Sequence, residues 1–496
     1  MNTQIRRLGI FLLVCYLALF AKLNLVQVFG AEELVASPYN RSAVQKQFNR
    51  PRGAITSADG ALLAQSREVE GSSIKRIREY PEKDLFGQIT GYFSFTYGSG
   101  GAEKYYDEEL SASTLQQQVL SMQDLFSNKE TVGNVQLTVR KDLQAEARDA
   151  LGNREGSVVA LDPRTGEILA MWSWPSYDPN VLSGTDAKAV KLAWDLLNLS
   201  PQKPMLAKPF AERYFPGSTF KVVTAGVGLQ SGTVTPEEPS YPVESSYTAP
   251  GTRTPLKNFG GEICGGTLFP ILQISCNSAF ARMGVETIKG QTMIDGAQSF
   301  GFNQPLPLDL PDPAPSNYPT DVVKDQPKLA LTAIGQSEVT ASPLHMALIT
   351  AGVANKGVIM KPHVMKQVTD SEGRVVKTFA NDTWLKPMDE ERAATLRQAM
   401  LGVVTGGTGT PAQIPGVEVA GKTGTAQTGD GHVHTWMVAM GGPPGGDPEV
   451  VVASVVLNQP AESEATGGQV AGPITKRVMT KALQIMHPDG FPAGPK

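Results

Sequence analysis

The stretch Pro216-Gly217-Ser218-Thr219-Phe220-Lys221, followed by the apolar run Val222 to Leu229, constrains this chain more than any other. Pro-Gly breaks whatever precedes it, and the run behind it has apolar residues at helical intervals. A helix is therefore expected to start at or near Ser218. Positions three apart share a helix face, so Ser218 Oγ and Lys221 Nζ are expected to meet. A serine in that place also sits among the unpaired N–H groups of a helix N-terminus, in the field of its dipole. One turn thus offers a nucleophile, a base and part of an oxyanion site. The bare spacing is not diagnostic, because Ser-x-x-Lys recurs at Ser72…Lys75 and Ser200…Lys203. What separates Ser218 is its lead-in, the helical run, and two motifs that follow in order. These are Ser275-Cys276-Asn277 and Lys422-Thr423-Gly424-Thr425, the only Ser-x-Asn and Lys-Thr-Gly in the chain.

A chain of 496 residues exceeds a single typical core, so two or three domains are expected. Apolar residues at 41% and charged residues at 19% place it among globular proteins. A net charge of −4 leaves no basic footprint for nucleic acid. The 5 histidines all lie at or after His345 and none pair at ligand spacing, so neither a metal nor another cofactor is expected.

Arg6 and Arg7 precede an uninterrupted apolar run from Leu8 to Ala21, and Lys22, Asn24 and Gln27 dilute its continuation to Phe29. The first run alone would suit a signal-peptide h-region. The whole of Leu8 to Phe29 is long enough to span a bilayer, with Lys22 reaching an interface. Both Leu19-Phe20-Ala21 and Phe29-Gly30-Ala31 are poor cleavage sites, so a retained single-pass plasma-membrane anchor at 8–29 is the expectation. The basic start places residues 1–7 in the cytoplasm and the rest outside. Cys264 and Cys276 are then the external pair. They read equally as a disulfide or as two separate core thiols.

Residues 30–153 give mixed signals: a hairpin at Asp59-Gly60, an amphipathic helix over Leu110–Phe126, a strand at Asn134–Val139 and a helix over Lys141–Leu151. No acids or histidines converge there, which reads as a structural pedestal. Residues 154–496 open with a strand–turn–strand around Asp162-Pro163-Arg164-Thr165-Gly166. Helices are expected near 218–230, 266–288, 343–355 and 389–404. The Lys422 motif rides on a strand from Val417, two more strands follow at about 434–441 and 449–457, and a helix from Pro473 to Met486 closes the chain. That order predicts an α+β fold, an antiparallel sheet with helices on its faces.

With these motifs in place the chain resembles a class B penicillin-binding protein of the short actinobacterial peptidoglycan transpeptidase type. Ile334-Gly335-Gln336, Ser342-Pro343-Leu344 and Ala354-Asn355-Lys356-Gly357 resemble stretches of that family's transpeptidase domain. Arg52-Gly53-Ala54-Ile55 and Gly101-x-Glu103-x-x-Tyr106 resemble its boxes in the non-catalytic N-terminal region. The resemblance implies a β-lactamase-like transpeptidase fold over 154–496, a pedestal or dimerisation-type domain over 30–153, and no glycosyltransferase domain. It implies that Ser218 attacks the D-Ala-D-Ala bond of a peptidoglycan stem peptide, with Lys221 as base and Ser275 relaying the proton. Asn277 would hold peptide or Lys221. Lys422, Thr423 and Thr425 would hold the terminal carboxylate, and Gly424 would let the substrate backbone approach. The N–H groups of Ser218 and Thr425 would form the oxyanion hole. β-Lactams, the plasma membrane and a glycan polymerase or divisome protein are the implied partners. A D,D-carboxypeptidase and a non-catalytic β-lactam sensor or scaffold are the alternatives. A β-lactamase is disfavoured by the lack of a Glu-x-x-Leu-Asn box between the second and third motifs.

Overall fold

The turn Asp162–Gly166 folds the chain back on itself as its breakers require. Gly166 adopts φ 82° and its N–H reaches Asp162 O at 3.0 Å. A computed structural model describes residues 2–26, 48–70, 74–114, 132–460 and 465–490. Its main elements are α1 (Asn2–Asn24), α2 (Lys141–Leu151), β1 (Gly156–Leu161), β2 (Ile168–Trp174), α3 (Lys221–Gln230) and α4 (Pro343–Ala354). They continue with α5 (Glu390–Gly406), β3 (Glu418–Gln427), β4 (His432–Gly442), β5 (Val450–Pro460) and α6 (Gly467–Met486). The chain divides into two compact units, Met1–Pro51 with Arg67–Ile77, and Arg52–Ser66 with Arg78–Lys496. In the first, the 22 residues Thr3–Asn24 form a helix long and apolar enough to cross a membrane.

The second unit is built on an antiparallel sheet, as two early and three late strands led one to expect, and its strand order is β3-β4-β5-β1-β2. β4 and β5 are apolar on both faces, because α6 packs on one side and α4 on the other. All 12 residues of α4 are buried, so its sequence is apolar all round. Trp172 and Trp436 are core residues.

Two helices differ from expectation. α6 begins at Gly467, not Pro473, and Pro473 lies inside it. A Cβ on Gly467 would stand 2.2 Å from Trp436 O, and one on Gly468 2.3 Å from Thr408 O, so only glycines let this first turn press against the sheet. The span 266–288 is three pieces, Leu268–Gln273, Asn277–Arg282 and Met283–Ile288. Ser275 breaks the first from the second by adopting φ 64°.

A second sheet carries the Asp59-Gly60 hairpin. Ile55–Thr56 pairs antiparallel with the strand beginning at Leu62 and parallel with Asn134–Leu137. Two strands from far along the chain complete it: Met365–Thr369 lies against Asn134–Leu137, and Val375–Thr378 beside it. Sequence patterning gave no warning of that addition. The buried Glu103 carboxylate takes Arg52 Nε at 2.6 Å and Arg78 Nε at 2.5 Å, which explains why both N-terminal boxes carry charge. Tyr106 donates to buried Asp309 at 2.6 Å, and Asp309 also accepts from the N–H groups of Val364 and Met365. The helix expected over Leu110–Phe126 falls mostly outside the described residues.

Of the two readings of the cysteines, the bridge is the one seen: Cys264 and Cys276 are disulfide-bonded. The bridge clips down a flap, Tyr241–Gly266. In it Tyr241–Glu244 pairs with Cys264–Gly266, and Ser246–Tyr247 pairs with Leu256–Lys257.

Candidate active site

The serine turn forms as the Pro-Gly signal requires, as a tight 3-10 turn over Gly217–Phe220 that runs directly into α3. Gly217 has φ 52°, and a Cβ there would stand 3.0 Å from Ala426 Cβ, against the β3 edge. Gly335 holds the turn from the other side. Gly217 N–H donates to Gly335 O at 3.0 Å, and a Cβ on Gly335 would lie 2.2 Å from Gly217 O. The Ile334-Gly335-Gln336 box is therefore the buttress of the serine turn. Ser218 is half-buried, and its Oγ has no hydrogen-bond partner among the described residues.

Lys221 does not bond Ser218. It reaches across to the second motif, where Nζ meets Ser275 O at 2.7 Å, Asn277 Oδ1 at 2.7 Å and Ser275 Oγ at 3.3 Å. Lys422 Nζ, from the third motif, meets the same Ser275 Oγ at 2.8 Å and Thr423 O at 2.9 Å. Two lysines thus share one hydroxyl with no exposed surface of their own. Burial, and then the charge of Lys422, push Lys221 well below the ordinary lysine range. Burial alone lowers Lys422 to about 7. A neutral amine has two N–H bonds and one lone pair. The two short bonds to Ser275 O and Asn277 Oδ1 take both hydrogens, and the lone pair is left to receive a proton.

The third motif divides its side chains between the two faces of its strand. Side chains alternate along a strand, so Lys422 and Gly424 face one side of β3 and Thr423 and Thr425 the other. Thr423 Oγ1 lies 2.6 Å from Thr408 Oγ1, and Thr425 Oγ1 accepts from Gly467 N–H at 3.3 Å. Gly424 lies against the serine turn. A Cβ there would stand 2.9 Å from Pro216 O and 2.9 Å from Thr219 Cγ2, so this glycine seats the serine turn against β3.

Of the competing Ser-x-x-Lys pairs, Ser200 ends a surface helix, Ala187–Leu199, and Lys203 is 3.7 Å from Glu212. Ser72 lies outside the described residues. Sequence reasoning missed Thr408, whose one signal was the breaker-rich run Gly406-Gly407-Thr408-Gly409. It also missed Asn258, buried beside the second motif with no signal at all.

Residues 156–480 match the family described as "Penicillin binding protein transpeptidase domain", and residues 52–135 match "Penicillin binding protein A dimerisation domain". The chain is 35% identical to the peptidoglycan D,D-transpeptidase PbpA of Mycolicibacterium smegmatis, over 98% of this chain and 99% of that one. It is 33% identical to the protein of the same name from Mycobacterium tuberculosis, over 98% and 99%. The structure of M. tuberculosis penicillin-binding protein A as an imipenem acyl-enzyme superposes with TM-score 0.81 and 33% identity, covering 88% of this chain and 100% of that one. Three separated motifs meeting at one hydroxyl, a sheet with this strand order and a match over nearly the whole length have one reading: the chain belongs to the penicillin-binding protein transpeptidase family.

Proposed function

We propose that this protein is a peptidoglycan D,D-transpeptidase that cross-links stem peptides through an acyl-enzyme on Ser218, and that β-lactams inhibit it by acylating the same oxygen. The observation that carries the reading is the hydrogen-bonded cluster of Lys221, Ser275, Asn277 and Lys422 beside a Ser218 Oγ that has no partner among the described residues. In this reading neutral Lys221 takes the Ser218 proton as Oγ bonds the carbonyl carbon of the penultimate D-Ala. The N–H groups of Ser218 and Thr425 receive the oxyanion. Ser275, held between the lysines, delivers a proton to the leaving amine, and terminal D-Ala departs. An acceptor amine then attacks the ester, its proton returns along the same path, and Ser218 is restored.

Thr423 and Thr425 hold the substrate carboxylate by their hydroxyls. Lys422 acts instead on the proton path, bonded to Ser275 Oγ and a backbone carbonyl and setting its charge beside Lys221. Gly424 serves by keeping the serine turn tight to the strand. Residues 154–496 do the chemistry. Residues 30–153 form a non-catalytic pedestal that a glycan polymerase or divisome protein contacts. Residues 8–29 anchor the chain in the plasma membrane, with residues 1–7 inside. The compact unit that spans both ectodomain regions makes this a division of labour rather than of folding.

The test is to incubate the full-length protein with a donor ending in D-Ala-D-Ala and an amine acceptor, and to identify the product by mass. A donor–acceptor adduct is expected. Release of D-Ala with no adduct would identify a carboxypeptidase, and penicillin binding without any turnover of donor would identify a sensor or scaffold.

A pH dependence follows. Acylation requires neutral Lys221, so its rate should climb with pH along an acid limb set far below the ordinary lysine range. The Lys422 charge is one cause of that depression, so Lys422→Ala should move the limb to higher pH. The variant should slow carboxylate ligands and their esters equally. A loss confined to the free acids would show that Lys422 holds the carboxylate directly.

A further inference from the structure

We propose that Asn258 is a positioning residue for the transpeptidation reaction, seating the flap so that its backbone selects the orientation of Asn277. The proposal rests on the reading above in which Lys221 is the base. Asn258 is 5% exposed and uses its amide in full. Its Nδ2 donates to Glu244 O and Glu262 O, both at 2.9 Å, which draws the two arms of the flap together. Its Oδ1 accepts from Ser278 N–H at 2.8 Å, which binds the flap to the residue after Asn277. The Cys264–Cys276 bridge fastens the far arm of the flap to the residue before Asn277. The second motif is thus gripped on both sides.

The consequence appears one residue back. With Asn258 seated, the carbonyl of Lys257 lies 3.2 Å from Asn277 Nδ2. A carbonyl only accepts, so it dictates that the Asn277 amide nitrogen faces the flap. Asn277 Oδ1 is then the atom left for Lys221 Nζ, at 2.7 Å. The opposite orientation would set N–H groups against the N–H groups of Lys221 and oxygen against oxygen at Lys257. Lys257 O does not tolerate the flip, and neutral Lys221 could meet it only with the lone pair that the reaction needs. Without Asn258, Lys257 keeps its strand pairing within the flap but loses the tie to Ser278 that aims its carbonyl at Asn277, and Lys221 loses an acceptor that fixes where its lone pair points.

Acylation of the full-length protein by a fluorescent penicillin, measured as a second-order rate constant across pH, tests this as a double-mutant cycle. Asn258→Ala should slow acylation about 10- to 100-fold, the scale of one lost hydrogen bond to a charged group. Its acid limb should move to lower pH, because charged Lys221 has lost an acceptor. In an Asn277→Ala background the same substitution should cost less than about twofold. An equal fold-loss in both backgrounds, or an acid limb that stays in place, would overturn the proposal and leave Asn258 as flap packing only. If Asn258→Ala does not fold, Asn258→Ser takes its place in the same cycle with the same expected signs. Failure of the underlying reading looks different: Lys221→Ala would then still acylate at the wild-type rate.

Discussion

Alanine at position 218 is expected to abolish covalent labelling by penicillin altogether while leaving the protein as stable as before. Both halves follow from the same geometry. Ser218 Oγ is the one hydroxyl of the serine turn without a hydrogen-bond partner among the described residues, whereas Thr219 Oγ1 is committed to Pro216 O at 2.7 Å. Deleting a half-buried oxygen that bonds nothing leaves no polar group orphaned, so the change in stability should stay within about 0.5 kcal/mol. The chemistry has no substitute. Ser275 is held by two lysines, and Ser200 stands at the end of a surface helix with Lys203 turned toward Glu212. Intact-mass spectra after exposure to penicillin, set beside a thermal melt, check both halves at once. A penicilloyl adduct on Ser200 or Ser72 in the variant would overturn the assignment.

Gly335→Ala should have the second-largest effect, and it should strike stability and activity together. Gly335 adopts φ 73°, which alone costs a side chain about 1–3 kcal/mol. The added Cβ would also stand 2.2 Å from Gly217 O and 2.6 Å from Phe220 Cβ, a contact relieved only by moving the serine turn. Overpacking of that kind adds about 1–3 kcal/mol more. The sum is a loss of about 2–6 kcal/mol in denaturant unfolding. Acylation should fall even at temperatures where the variant is folded, since the displaced atoms belong to the turn that carries Ser218. A variant with wild-type acylation would show that the buttress is dispensable.

How much of this was legible in the sequence varies with the range of the interaction. The serine turn was readable because its determinants are adjacent: a Pro-Gly breaker, a serine, then apolar residues at helical spacing. The strands of the main sheet were readable because the turns between them are rich in Gly, Pro and Asp, whereas the pairing of β5 with β1 was not. The N-terminus of α6 was not. Its glycines look like loop residues until Trp436 O and Thr408 O are seen against them, and Pro473 drew the boundary to itself. The break at Ser275 was hidden because a serine in the left-handed region carries no compositional mark. For the third motif the alternation of a strand already separates Lys422 from Thr423 and Thr425. Grouping them by chemistry alone concealed it. The pairing of Met365–Thr369 with Asn134–Leu137 could not be read, since nothing local specifies a partner so distant in sequence.

That last pairing sets where the chain can be cut for recombinant work. A fragment beginning at the catalytic half would leave Met365–Thr369 without its neighbour, with a row of N–H and C=O groups open to any other strand in the tube. It would also take the Tyr106 hydroxyl from buried Asp309. Such a fragment would keep every reactive residue and still be prone to aggregate, edge to edge, during purification. The smallest well-behaved soluble piece is fixed by the closure of the second sheet, and it has to begin ahead of Arg52.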